Sequence, residues 1–194
     1  MSQNIIKNKS SQIDLSVYIK SFLLLMKPRV MSLVLFTAMV GLIVAPISVS
    51  FTTALLSLLA VAIGSGSAGA LNMWYESDVD ALMSRTCLRP IPTGKIKREQ
   101  ALLFGVVLSF ISIVMLYLSA NLISAILLAV TISFYFFIYT IWLKRKTAQN
   151  IVIGGAAGAL PPVIGWAVAM NNISIASIVM FLIIFIWTPS HFWC

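Results

Sequence analysis

The sequence predicts an all-α, polytopic transmembrane helix bundle. Hydrophobic residues make up 60% of the chain, charged residues only 9%, and the mean hydropathy is +1.03. This composition is typical of proteins that reside in a bilayer. Six apolar runs of about 20 residues follow one another, each long enough to cross a hydrocarbon core roughly 30 Å thick. Basic residues occupy only alternate connections between these runs, as expected for a chain that crosses the membrane repeatedly.

Residues 1–29 are predicted to form a cytoplasmic tail and an interfacial helix. Apolar positions recur at helical spacing between Leu15 and Met26, a pattern typical of a helix lying on the membrane surface. The triplet Lys27-Pro28-Arg29 then indicates the entry into the membrane. Proline is tolerated in a first helical turn, and the two cations suit phospholipid head groups.

The transmembrane domain is predicted over residues 30–194. Its six spans cover residues 30–49, 51–71, 101–118, 122–143, 151–170 and 173–193. All thirteen Lys and Arg residues lie before the first span, in loop 72–100 or in loop 144–150. The positive-inside rule therefore puts these segments in the cytoplasm, and an even number of spans returns the chain to that side.

The net charge of +8 is explained by this topology, so nucleic acid is not expected as a partner. Membrane lipid is the expected surrounding. The two cysteines, Cys87 and Cys194, have neither the number nor the spacing of a disulfide framework or a metal site.

The first cytoplasmic loop opens with the most polar stretch of the domain, residues 72–94, which holds three of the five acids. If the preceding helix continues through it, Asn72, Glu76 and Asp80 are spaced i, i+4 and i+8 and share one face. Asp78 would then point away.

These carboxylates, beside basic residues, suggest a phosphate group held through a divalent metal. Mg²⁺ commonly takes one or two carboxylates and completes its shell with water and substrate phosphates. Cations would stabilise the charge that develops on a diphosphate leaving group; the candidates are Arg85, Arg89, Lys144 and Arg145. The alternative is that the acids are simply solvated and the cations serve only to orient the chain in the membrane.

Two spans carry small residues or prolines. The second contains GSGSAGA, where small residues four apart allow close approach of a neighbouring helix. The fifth contains three glycines and Pro161-Pro162, which interrupt the backbone hydrogen-bond ladder. Such an interruption either lines a cavity or forms a packed kink.

The residues of the acidic stretch carry a family resemblance. The pattern Asn72-x3-Glu76-x3-Asp80, followed by Arg85-Thr86-x2-Arg89-Pro90, resembles the first Asp-rich motif of the UbiA-type intramembrane prenyltransferases. Within that superfamily, the chain resembles the protoheme IX farnesyltransferases, or haem O synthases. This closer likeness rests on Lys27-Pro28-Arg29, on Tyr139-Thr140-x2-Leu143-Lys144-Arg145, on IVIGGAAGALPPVIGW and on WTPSHFW.

The resemblance implies transfer of a farnesyl group from farnesyl diphosphate to a vinyl group of haem b, giving haem O for terminal oxidase assembly. It implies that Asn72, Glu76 and Asp80 form the catalytic Mg²⁺-diphosphate site, with Asp78 as a further metal ligand beside Glu76 and Asp80. The diphosphate would be bound by the cations Arg85, Arg89, Lys144 and Arg145. Glu76 stands where the family usually has Asp. The carboxylate is kept, but it is one methylene further from the backbone, which alters the expected metal geometry.

His191, the single histidine, ends the sixth span. An imidazole within a membrane segment is a candidate functional residue, and haem iron is one possible ligand partner. The alternative is an interfacial histidine in an aromatic belt. Ser190 stands where the haem O synthase branch usually has Pro.

The family fold has about nine spans and a second Asp-rich motif after the sixth, and this sequence reaches only the sixth. We therefore expect an incomplete prenyltransferase domain and weak or no prenyl transfer by residues 1–194 alone. The partners expected are farnesyl diphosphate, haem b, and either haem A synthase or an absent C-terminal part.

Two other functions compete with prenyl transfer. In a transporter or channel subunit, the acids would bind a cation and Pro161-Pro162 would line its path. In a non-catalytic membrane protein, the fold would bind only haem or a partner. Acids at one membrane interface beside cations favour the enzyme. The expected location is the bacterial inner membrane, or alternatively the mitochondrial inner membrane.

Overall fold

A computed structural model of the protein describes residues 15–144, 146 and 149–193, and these residues form helices and turns without any strand. The α-helices are α1 Leu15–Leu25, α2 Pro28–Val44, α3 Phe51–Tyr75, α4 Ser77–Leu82, α5 Arg98–Ser119, α6 Leu122–Ser133, α7 Asn150–Ala159, α8 Pro161–Met170 and α9 Ile175–Trp193. A π-helical segment, Phe134–Leu143, continues α6. The predicted all-α membrane bundle is confirmed.

Four helical stretches are long and apolar enough to cross a membrane, and they are Phe51–Tyr75, Arg98–Ser119, Leu122–Leu143 and Asn150–Met170. Helices α1 and α2 are bent by 49° and form a fifth span if they are counted as one broken span. In α9, the apolar part Ile175–His191 is shorter than the others. The predicted number of six spans therefore stays a prediction.

The chain runs back and forth between the two ends of the bundle, so successive connections lie at opposite ends. At one end, Lys27 contacts Asn72 and Lys144 contacts Glu76, which brings together the starts of α2 and α7 and the ends of α3 and the π-helical segment. At the other end, Ser57 near the start of α3 contacts Ser119 at the end of α5. We call these the acidic end and the far end. Lys27, Arg89 and Lys144 lie at the acidic end.

Helix α2 ends earlier than predicted. The first span was expected to reach residue 49, but the helix stops at Val44 and Ala45 is already extended, with φ −62° and ψ 137°. Pro46 explains this end, because the residue before a proline is disfavoured in the helical region. The following helix begins at Phe51, with Ser50 capping the backbone N–H of Thr53.

Helices α2 and α8 pack unusually closely through two glycines. A Cβ atom on Gly41 would overlap the carbonyl oxygen of Pro162. A Cβ on Gly165 would overlap the carbonyl oxygen of Ala38 and lie 2.9 Å from the backbone nitrogen of Leu42. Since lipid tails provide no hydrophobic drive between helices, such close backbone packing is a main source of association in membranes.

The span of α7 and α8 is interrupted at Leu160, next to Pro161 and Pro162. Leu160 keeps helical angles, φ −76° and ψ −30°, so the axis is interrupted without a loop. Both alternatives predicted for this break are present in different parts of it: Gly158 and Pro161 line a cavity, while Pro162 packs against α2.

At the far end, Asn121 connects α6 to α8. Its Oδ1 accepts a hydrogen bond from the backbone of Ser124 at 2.9 Å, and its Nδ2 donates to the carbonyls of Ala167 at 2.8 Å and Val168 at 3.3 Å. The side chain therefore caps α6 and also donates hydrogen bonds to two carbonyls in the last turn of α8.

Replacing Asn121 by Ala is expected to lower the free energy of unfolding by about 1–2 kcal/mol, because the cap and both donors are lost. Asn121→Ser keeps a capping oxygen but cannot reach α8, so it should lose part of this amount. Thermal unfolding in detergent measures the stability of both variants. The control is Asn172→Ala, at an exposed position just after α8. Equal melting temperatures for wild type and Asn121→Ala would contradict the link to α8.

Candidate functional site

Three polar side chains are buried together where α3 ends: Asn72 is 1% exposed, Glu76 8% and Asp80 4%. We call these residues the acidic cluster. The helix is interrupted at Glu76, between α3 and α4, but helical hydrogen bonds continue from Glu76 N to Asn72 O at 3.1 Å and from Asp80 N to Glu76 O at 2.8 Å. The three side chains therefore keep the shared face that their spacing predicted, and Asp78 is exposed on the other side.

Each carboxylate of the cluster has a basic partner. Arg89 Nη1 lies 2.6 Å from Asp80 Oδ2, and Lys144 Nζ lies 2.5 Å from Glu76 Oε1 and 2.7 Å from Oε2. The turn that carries Arg89 is fixed by Thr86, whose buried hydroxyl donates to the backbone carbonyl of Asp80 at 3.0 Å. Partners of this kind are what allow carboxylates to be buried.

The π-helical segment brings Lys144 to the cluster. Lys144 N donates to the carbonyl of Tyr139 at 3.0 Å, and its Nζ lies 5.8 Å from the centre of the Tyr139 ring. On the same segment, the buried Thr140 hydroxyl donates to the carbonyl of Tyr135 at 2.9 Å and accepts from Asn72 Nδ2 at 3.3 Å. π-Helical turns are rare and occur frequently at functional sites.

Lys27 is a further polar group at the cluster. Its Nζ donates to Asn72 Oδ1 at 2.5 Å. The residue lies at the bend between α1 and α2 with φ 53° and ψ 64°, a left-handed conformation that is uncommon for a lysine. Burial, together with the neighbouring cations Arg89 and Lys144, lowers the pKa of Lys27 to about 8.

Sequence reasoning missed the roles of Lys27 and Thr140 in this site. The sequence pattern makes Lys27 a membrane-entry residue, and its charge needs no other explanation there. The signal for Thr140 is weak, since it is one hydroxyl within an apolar run. Two features could have suggested these roles. Lys27 comes directly before the proline that starts a span, and Thr140 comes four residues before a second lysine, Lys144.

An apolar cavity adjoins the cluster. It lies between α2, α3, α6, α7 and α8 and contains about 680 Å³ of empty space, including its open mouth. Side chains such as Val34, Val61, Leu128 and Ile164 line it. Among the described residues that line it, Lys27 is the one with a charged side chain. The cavity thus joins an apolar interior to a charged end.

The other predicted site residues are placed differently. Arg85 is exposed in the turn after α4, and Arg145 lies outside the described residues. His191 is exposed near the end of α9, with its ring stacked on Trp187 at 4.4 Å between centroids. Within the described part of the chain, no three His, Cys, Asp or Glu side chains come close enough to hold a metal ion. Glu76, Asp78 and Asp80 are therefore not brought together as a set of three ligands.

The residues present nevertheless fit Mg²⁺ in the form that binds with a phosphate. That form uses one or two carboxylates and takes its remaining ligands from water and substrate. Glu76 and Asp80 supply the two carboxylates, and Asn72 supplies an amide oxygen on the same face. Each of these three side chains is engaged by a cation: Glu76 by Lys144, Asp80 by Arg89 and Asn72 by Lys27. A metal would have to share or replace these contacts.

The charges of the buried site favour an anion. Three cations, Lys27, Arg89 and Lys144, face two carboxylates, Glu76 and Asp80, so the group carries a net charge of +1 with all five ionised. A site of this sign beside an apolar cavity suits a ligand with an anionic head and an apolar tail. Addition of Mg²⁺ would make the sum +3, which a diphosphate bearing three negative charges would neutralise.

Fold and site together define a helical membrane protein with a charged cluster at one end of an apolar cavity. The chain belongs to the UbiA prenyltransferase family, whose model matches residues 34–194.

Among curated relatives, it is 68% identical over 169 residues to the protoheme IX farnesyltransferase of Pelagibacter ubique (strain HTCC1062), covering 87% of this chain and 56% of the relative. It is 54% identical over 188 residues to the protoheme IX farnesyltransferase of Ehrlichia ruminantium (strain Welgevonden), covering 97% and 64%. The chain thus spans about half to two thirds of the length of these relatives.

A solved structure shares the fold. The chain matches a UbiA homolog from Archaeoglobus fulgidus bound to DMAPP and Mg²⁺ with a TM-score of 0.68 and 18% identity, covering 86% of this chain and 61% of that one. The same homolog bound to GPP and Mg²⁺ matches with a TM-score of 0.68 and 19% identity. At this identity, the likeness establishes the fold of the helix bundle.

Proposed function

We propose that this chain forms the Mg²⁺-diphosphate site and part of the prenyl cavity of a protoheme IX farnesyltransferase. In this reaction, the bond between C1 of the farnesyl chain and the diphosphate oxygen breaks, and a vinyl carbon of haem b forms the new bond to C1. Water then adds to the resulting cation and releases a proton. The products are haem O and diphosphate.

One observation carries the proposal: the acidic cluster and its three cations lie at the charged end of an apolar cavity. The cavity would hold the prenyl chain, and the cluster would hold the diphosphate. This arrangement favours prenyl transfer over cation transport, because the buried acids lie at one end of the bundle instead of at its middle. The names of the curated relatives support the same choice.

Each residue of the site has a task in this proposal. When bound, Mg²⁺ supplies positive charge that stabilises the leaving diphosphate. Glu76 and Asp80 hold the metal, and Asn72 orients the site through its bonds to Lys27 and Thr140. Arg89 and Lys144 neutralise the carboxylates before ligands bind, and would donate to diphosphate oxygens afterwards. Arg85 and Asp78 are exposed and would act from the rim of the site.

Haem would approach from the acidic end. His191 is near the end of α9, and α9 packs against α7 with the side chain of Thr188 against Gly155. The exposed imidazole of His191 could ligate haem iron from this position. We propose His191 as the haem contact for this reason, with the acidic end facing the cytoplasm of a bacterial inner membrane. The one-sided Lys and Arg residues support that orientation, and the named relatives are bacterial.

The proposal is tested by binding of farnesyl diphosphate to purified residues 1–194 in detergent. Mg²⁺ is expected to tighten binding by about tenfold or more, because the metal links the carboxylates to the diphosphate. Isothermal titration calorimetry with Mg²⁺, and with EDTA in its place, measures the difference. Farnesol, which has the same tail without the diphosphate, is the control ligand. Binding that is equally tight with and without the metal would refute a Mg²⁺-diphosphate site.

A further inference from the structure

Lys27 lies where the charged and apolar parts of the site meet. Its side chain lines the apolar cavity, and its Nζ reaches the acidic cluster through Asn72. The other two cations that contact the acidic cluster, Arg89 and Lys144, do not line that cavity. A bound ligand with its anionic head at the cluster and its tail in the cavity would therefore have Lys27 next to the junction of head and tail.

The backbone holds Lys27 in a costly conformation. A left-handed φ of 53° suits glycine or asparagine better than lysine. The bend is kept in place by packing on α3, since Met26 fits against Gly66, and the Leu25 carbonyl lies 3.2 Å from where a Cβ on Gly69 would be. Backbone strain of this kind clusters at active sites and ligand-binding segments. Here the strained residue directs an ammonium group into the site.

The charge of Lys27 has no carboxylate partner within ion-pair distance among the described residues. Asp80 pairs with Arg89 and Glu76 with Lys144, while Lys27 bonds to the neutral amide oxygen of Asn72. An ammonium group has three donors, and the bond to Asn72 uses one of them. Two donors and one unbalanced positive charge are thus available at the mouth of an apolar cavity. A phosphate oxygen is the ligand group that would accept these hydrogen bonds and balance this charge.

We propose that Lys27 binds the phosphate nearest the prenyl chain and stabilises the negative charge that forms on it when the bond to C1 breaks. This inference rests on the proposed function and adds a substrate-contacting residue to it. As that bond breaks, its electron pair goes to the bridging oxygen, which becomes part of the free diphosphate. The Lys27 ammonium keeps its proton and donates hydrogen bonds to this phosphate, while it holds Asn72 in place.

Four versions of residues 1–194 test the proposal: wild type, Lys27→Gln, Lys27→Arg and the control Lys20→Gln. Gln keeps a donor for Asn72 but removes the charge, and Arg keeps the charge. Lys20 is an exposed lysine on α1, outside the site. Calorimetry in dodecylmaltoside with Mg²⁺ measures the affinity for farnesyl diphosphate, and thermal unfolding measures the fold. Displacement by dioctanoyl phosphatidylglycerol tests a lipid head group as the alternative source of phosphate.

Lys27→Gln is expected to weaken farnesyl diphosphate binding about 10- to 100-fold, the range for a charge-assisted hydrogen bond in a buried site. Lys27→Arg should stay within about threefold of wild type and Lys20→Gln should be unchanged. The melting temperature of Lys27→Gln should equal or exceed that of wild type, because a desolvated charge is removed. A purely structural lysine would instead lose stability and affinity together.

Equal affinity of wild type and Lys27→Gln would overturn the proposal and leave the Mg²⁺-diphosphate site intact. Loss of affinity in Lys27→Arg to the level of Lys27→Gln would also overturn it, because the charge would then not be the required feature. A variant that loses only phosphatidylglycerol binding would assign Lys27 to a lipid head group instead. Failure of the wild type itself to bind farnesyl diphosphate would refute the proposed function.

Discussion

Asp80→Asn is expected to weaken Mg²⁺-dependent binding of farnesyl diphosphate about 100-fold or more. Asp80 is one of two buried carboxylates at the proposed metal site, and an amide oxygen is a weaker ligand for a hard cation. The substitution also leaves the partly buried Arg89 without its anionic partner, and a buried charge without a partner is costly. The affinity is measured by calorimetry with and without Mg²⁺, and the fold by thermal unfolding in the same detergent.

Two matched variants show whether this effect belongs to the site. Glu99→Gln removes an exposed carboxylate at the start of α5 and should leave binding unchanged. Asp78→Asn separates the family resemblance from the structure, since the resemblance implied Asp78 as a metal ligand and the structure places it on the exposed side. We expect Asp78→Asn to change the affinity by less than about threefold. Equal losses for the Asp78 and Asp80 variants would show that the ligand-bound site is arranged differently.

Gly41→Ala is expected to destabilise the bundle strongly, although it adds only one methyl group. The new Cβ would overlap the Pro162 carbonyl oxygen, a backbone atom that cannot rotate away. Helices α2 and α8 would have to separate, at a cost of about 3 kcal/mol. This loss should appear as a large fall in the melting temperature and in the yield of monodisperse protein in detergent.

Gly158→Ala is the matched control for this prediction. Gly158 is also a helical glycine in the α7–α8 span, but a Cβ there has no atom within 4 Å. Its melting temperature should equal that of wild type or exceed it slightly, since alanine favours helix by up to about 1 kcal/mol. Equal destabilisation by both substitutions would show that helix flexibility, and not the contact between α2 and α8, explains the need for glycine.

The fold class could be predicted from sequence because a bilayer allows few alternatives. Backbone groups in hydrocarbon must bond internally, so long apolar runs with few charges become helices. The interruption at Pro161-Pro162 and the start of α2 at Pro28 followed from proline chemistry. The early end of α2 did not, because the apolar run continues past Pro46. Hydropathy measures the length of a run and not the conformation of the residue before a proline.

The site could be predicted within one helix but not between helices. Spacing alone put Asn72, Glu76 and Asp80 on a common face. It could not distinguish Arg89 from Arg85, because the turn between Met83 and Arg89 decides which guanidinium reaches Asp80. The bond between Lys144 and Glu76 joins residues 68 positions apart in the chain. Such a contact depends on which spans are neighbours, and that depends on packing of the whole bundle.

The two ion pairs also differ in when they can form during synthesis. Arg89 follows Asp80 by nine residues, so this pair can close as soon as the loop leaves the ribosome. Lys144 is translated only after α5, α6 and the π-helical segment. Until those segments insert and return to the same side, Glu76 lacks Lys144, its partner in the folded protein. The ion pair between Glu76 and Lys144 thus forms only after two further spans have been inserted, and its formation coincides with the docking of the π-helical segment against α3.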